Sequence, residues 1–128
     1  MLISEACNRD VGAWDDRFFL YSEETDLALR ARDAGLLTRY EPRSVAVHIG
    51  GQSGRSHRTH VMQIVNRVRL YRRRHGALAS WAYYWLVVAN QMSRVPRGRS
   101  ESWHAVVALL RPARRPAELG CSATRMPR

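Results

Sequence analysis

A chain of 128 residues allows one domain with a modest core. Its formal charge of +10, carried by 21 arginines and no lysine, falls mostly after residue 42, which points to an anionic partner: membrane surface, nucleic acid or phosphorylated substrate. Cys7 and Cys121 are too few and too far apart for a disulfide framework or metal knuckle, no leader pattern is read, and no apolar run reaches the roughly 20 residues that span a bilayer.

The apolar start Met1-Leu2-Ile3 leads into an expected short helix over residues 4–10. Residues 11–16 read as a turn or loop, with Trp14 either a core aromatic or a binding platform, and Asp15 and Asp16 fit to cap the next turn. The aromatic run 18–21 then ends at Ser22. A serine there suits a helix N-cap, and Glu23 and Glu24 in the first turn suit the helix dipole. The expected helix spans 23–34, with Leu27, Ala28, Ala31 and Ala34 as an apolar stripe at 3.6-residue spacing. Asp26 and Arg30 are spaced for a surface ion pair worth a few tenths of a kcal/mol, and Gly35 suits a C-terminal cap.

Residues 36–40 read as a strand, Glu41-Pro42 as a turn, and 44–49 as a second strand. In the second strand Val45, Val47 and Ile49 face one way, Ala46 and His48 the other. Residues 50–54 form a small-residue loop able to move over a substrate. Residues 56–75 predict a long basic helix with Val61, Ile64, Val65 and Val68 on its apolar side and arginines 67, 69, 72, 73 and 74 at one end. That end is either a solvated face or a contact for acidic head groups or a pyrophosphate. His57 and His60 have a metal-like spacing without a third ligand nearby. Residues 77–92 carry no charge but include Trp81, Tyr83, Tyr84 and Trp85, which fits a helix in a membrane interface or docked on another domain. Residues 93–100 read as a linker, 101–110 as a short helix, and the rest as a disordered basic tail.

The run Gly12-Ala13-Trp14-Asp15-Asp16-Arg17-Phe18-Phe19-Leu20-Tyr21-Ser22-Glu23-Glu24-Thr25-Asp26-Leu27-Ala28-Leu29-Arg30 resembles the acceptor-side motif of family 2 inverting glycosyltransferases, G-G-[FW]-D-E-x-F-F-x-Y-x-E-D-x-D-L-x-x-R. The likeness continues through Ala34-Gly35, Tyr40-Glu41-Pro42 and Val45-Ala46-Val47-His48. It covers about residues 1 to 75 and looks nearest the bacterial rhamnosyl- and galactofuranosyltransferase branch. The resemblance implies an α/β fold: a partial GT-A (Rossmann-like) domain over 1–54, lacking the N-terminal nucleotide-binding half. Residues 55–94 would follow as a basic and an aromatic helix, and 95–128 as linker, short helix and tail.

The same resemblance implies a mechanism. Glu24 takes the position of the base, one methylene longer than the usual aspartate. Trp14, Asp15, Asp16, Glu23 and Asp26 would hold the acceptor. His48 would contact a metal or diphosphate, and a divalent cation (Mg²⁺ or Mn²⁺) would draw its main ligands from the absent half. The implied partners are a nucleotide-sugar donor, a glycan or polyprenyl-linked acceptor and an anionic membrane surface. The implied location is the cytoplasmic face of a bacterial plasma membrane, in cell-envelope polysaccharide synthesis. The alternatives are a non-catalytic basic module on membrane or nucleic acid, and an inactive remnant of a truncated gene. No RNA-binding signature accompanies the arginines.

Overall fold

The computed structural model describes residues 2–45, 47 and 56–120. Five α-helices form among them: α1 (Glu5–Val11), α2 (Glu23–Asp33), α3 (His57–Arg74), α4 (Ala77–Arg94) and α5 (Ser100–Leu110). Single 3₁₀ turns follow α4 at Val95–Arg97 and α5 at Pro112–Arg114 and Ala117–Gly120.

Helices α3, α4 and α5 pack together as an up-down-up bundle. The order follows from the contacts. His60, near the start of α3, donates through Nε2 to Gln91 Oε1 near the end of α4 at 2.9 Å. Tyr71, near the end of α3, stacks on Tyr83, near the start of α4, at 3.9 Å. Tyr84 on α4 donates to the carbonyl of Leu109, at the far end of α5. The core is made of Val61, Met62, Ile64, Val65 and Val68 from α3, Val87 and Val88 from α4, and Ala105, Ala108 and Leu109 from α5. Small residues on α5 let the three axes approach; Ala105 and Ala108 are almost wholly buried.

The α/β expectation is corrected: no strand forms among the described residues. The segment over 36–40 takes no regular structure, and Leu37 and Tyr40 stand 97% and 86% exposed. Val45 and Val47 are similarly open. A strand needs a neighbour for its N–H and C=O groups, and none forms beside this segment among the described residues. The helical residues instead bury their apolar stripes against one another. His48, Ala46, Ile49 and the loop over 50–54 lie outside the described residues.

The part after residue 110 also departs from its expectation. Through Leu119 it folds back on the bundle instead of forming a free tail. Leu119 is buried, its carbonyl accepts from Arg69 at 3.0 Å, and Arg115 Nε donates to the Ala108 carbonyl at 3.0 Å.

Candidate functional site

The run that carries the motif follows α1 and continues into α2, and it docks on the second half of α3. Ser4 caps α1 by accepting from Cys7 N–H at 3.1 Å. Gly12 ends that helix at φ +80 and ψ −179, a region nearly confined to glycine. Asp15 then folds the chain into a tight turn. Its Oδ1 accepts from the Arg17 backbone N–H, and its two oxygens take Arg17 Nε and Nη2 at 3.0 and 2.9 Å. Phe18 is buried, with the Arg73 guanidinium 5.4 Å from its ring centroid.

Tyr21 and Ser22 both adopt left-handed backbone, at φ +67 and +74. Two such residues in succession, neither of them glycine, are strained by roughly 1–2 kcal/mol each. The expectation for Ser22 is corrected here. Its side chain makes no capping bond; only its carbonyl joins the helix, accepting from Asp26 N–H at 2.8 Å. What holds the turn is Asn66 on α3, fully buried, whose Nδ2 donates to the carbonyls of Leu20 at 2.7 Å and Tyr21 at 3.2 Å.

Asp26 is buried instead of forming a surface pair. Its side chain is 5% exposed and meets Arg30 Nε at 2.9 Å and Arg73 Nη1 at 3.3 Å. Arg30 also donates to the Val11 and Ala13 carbonyls at 2.6 and 3.0 Å, tying the loop to α2. Arg73 reaches Asp15 as well, at 2.6 Å. The Arg17 guanidinium, and then Arg73, hold the Asp15 carboxyl well below the usual carboxylate range. Arg69 donates to the Arg17 carbonyl and Arg74 pairs with Asp33. Three of the five arginines at the end of α3 are therefore turned inward on the motif-bearing segment. Arg67 and Arg72 remain exposed.

This sorts the predicted site residues. Asp15 and Asp26 are neutralised by arginine. Glu23 is half-buried, and its Oε2 is shielded without a hydrogen-bond partner among the described residues. Glu24 and Asp16 are exposed, and Trp14 is 43% exposed. Glu24 thus stands open at the positive end of α2. No group of three potential metal ligands gathers among the described residues. The His57 ring lies tilted against that of His104, centroids 4.5 Å apart, and His60 is engaged by Gln91. With Asp15 and Asp26 already paired, the described residues do not fit a divalent-ion centre.

The sequence reading missed Asn66 and the inward role of Arg73. A signal for Asn66 is present: it is the one amide on the apolar side of α3, next to Val65 and one turn from Met62. Comparisons with protein-family models, curated proteins and solved structures gave no match.

Proposed function

We propose that this chain carries the acceptor-side base of an inverting glycosyl transfer, with Glu24 as the base. One structural observation supports the choice. Of the three carboxylates at the start of α2, Glu23, Glu24 and Asp26, Glu24 alone is exposed and free of an arginine partner among the described residues. In the step, a hydroxyl of the glycan or polyprenyl-linked acceptor attacks the anomeric carbon of a nucleotide sugar. Its proton passes to the Glu24 carboxylate as the new C–O bond forms. The bond to the diphosphate breaks on the opposite face, and the diphosphate leaves with that electron pair. On this reading Trp14 and Asp16, both exposed, would bear on the acceptor. Neither a Gly-rich phosphate loop nor a D-x-D pair occurs in the 128 residues. The reading therefore assigns the donor to a partner or a further segment.

The test is a transfer assay with a donor-binding half supplied. Glu24→Gln keeps size and hydrogen bonding but accepts no proton, so the rate should fall about 10²- to 10⁴-fold with donor binding intact. Glu23→Gln should cost less. Near wild-type rates in both variants would sink the reading.

The outer face of α4 supports a membrane seat for this activity. Leu78, Trp81, Trp85, Leu86 and Met92 are all exposed and share the side away from the core. No helix among the described residues is long and apolar enough to cross a membrane. The reading lays α4 in an anionic lipid interface, on the cytoplasmic side where nucleotide sugars are used.

A further inference from the structure

A second basic feature lies away from the α2 site. A cleft of about 720 Å³ opens between the start of α3 and the turns after α5. Arg58, Arg111, Arg114 and Arg115 line it, with His57 and His104, and the half-exposed Trp103 forms one wall. That volume lies within the usual range for small-molecule sites.

The cleft is electropositive for two separate reasons. Four guanidiniums converge on it. The N-terminus of α3, an 18-residue helix, opens into it through His57 and Arg58, adding the positive end of the helix dipole; its first turn holds no acidic residue. The positive charge is also felt beyond the cleft: after burial, the Arg115 charge is the next cause that pushes the nearby Arg69 guanidinium down from its ordinary value.

The opposing groups are few. Glu118 pairs with Arg58. Glu101, whose carboxyl is lowered by its own backbone N–H, then Arg99, His60 and His57, lies on the α5 side. Arg115 gives one nitrogen to the Ala108 carbonyl. Arg111 and Arg114 make no side-chain bond among the described residues and are exposed.

We propose that this cleft binds a diphosphate ester. The guanidiniums would hold the phosphate oxygens in charge-assisted, paired hydrogen bonds, and the Trp103 indole would take the organic portion. The site is independent of Glu24: no residue is shared, so it stands or falls apart from the transfer reading. The organic portion has two sources, a nucleoside or a prenyl chain, and both present a face to an indole.

Titration of the full chain, followed by calorimetry and by Trp fluorescence, tests it with three probes: inorganic pyrophosphate, uridine diphosphate and a short-chain prenyl diphosphate. Saturable binding is expected, and Arg111→Glu/Arg114→Glu should weaken it at least tenfold for all three. Arg67→Glu/Arg72→Glu, the same charge change at exposed sites on α3, should leave it within about twofold. Both pairs lie on the surface, so an unchanged far-ultraviolet circular dichroism spectrum checks the fold. Trp103→Ala should weaken the organic esters and spare pyrophosphate, and the more strongly affected ester identifies the source. Equal weakening by the two arginine pairs would show general charge attraction and overturn the site. Absence of saturable binding would overturn it too.

Discussion

At the scale of single residues, the decisive one is Asn66. It satisfies two carbonyls in a turn whose backbone is strained at Tyr21 and Ser22. Its replacement by leucine keeps the branched shape but removes the donor. Two carbonyls would lose their partner, at about 1–3 kcal/mol each where they are shielded from water. Asn66→Leu should therefore lower stability by roughly 2–4 kcal/mol in chemical denaturation, with the loss first visible as faster amide exchange at the start of α2. Ser22 offers the opposite test. Its side chain caps nothing, and glycine adopts φ +74 without strain. Relief of about 1–2 kcal/mol, less the added freedom of the unfolded chain, leaves a gain of roughly 0.5–1 kcal/mol. Ser22→Gly should raise Tm by a few degrees in a thermal scan. A lower Tm would mean that the serine hydroxyl has a role in the turn.

At the scale of elements, the contact between α2 and α3 is electrostatic where the bundle core is apolar. Asp15 and Asp26 meet Arg17, Arg30 and Arg73 in one network, at side-chain exposures of 11% and 5% for the two carboxylates. The network has a pH signature. Asp15 is held below its ordinary value, which for an aspartate is about 3.9. A depressed carboxyl contributes stability above its unfolded value, and that contribution is lost progressively as pH falls from about 4 down through the depressed folded value. Acid titration should detach α2 from α3 before the bundle melts. Asp15→Asn should be less stable than the parent at pH 7, and the gap should narrow as pH falls from about 4 toward 2. Parallel curves across that range would remove Asp15 from the linkage.

The same network shows what was legible in the sequence. The boundaries of α2 and α3, the Gly35 cap and the apolar side of α3 follow from local rules, because caps and 3.6-residue stripes act within a few positions. Gly35 sits at φ +78, with its N–H on the Arg32 carbonyl and the Leu36 N–H on that of Ala31. The burial of Asp26 was not legible, because it depends on Arg73, 47 residues along the chain. The strands were misread for a related reason. Alternation in Val45 and Val47 states which way side chains would face in a sheet, but not whether a neighbouring strand exists. The place of Glu23 and Glu24 in the first turn of α2 was legible from the acidic run after Ser22. The basic cleft was not, since Arg58 and Arg111 are brought together only by the packing of α3 on α5.

At the scale of the whole molecule, charge and apolar surface are both one-sided. Nine of the eleven carboxylates lie in residues 1–42 and 16 of the 21 arginines lie after them. The acidic segment absorbs Arg69, Arg73 and Arg74, while Arg94, Arg97 and Arg99 stay exposed where α4 ends. Between these ends, α4 presents an outer face of leucine, tryptophan and methionine with no charge on it. In a soluble three-helix bundle that face would ordinarily be polar. Water contact with exposed apolar side chains is unfavourable, and burial in a lipid interface removes it at about 25 cal/mol per Å². Indoles suit that depth because they are apolar with one polar N–H.

The full chain should therefore float with vesicles containing anionic lipid, and less with neutral ones. Binding should fall as salt rises from 0.1 to 1 M, where the screening length drops from about 10 to about 3 Å. Trp81→Ser/Trp85→Ser should abolish flotation without lowering Tm, since Trp81 is 63% and Trp85 46% exposed and neither belongs to the core. Equal binding to neutral vesicles would remove the arginines from the account. A salt-insensitive dimer in sedimentation, lost in the same double variant, would give the face to a second copy of the chain and overturn the membrane seat.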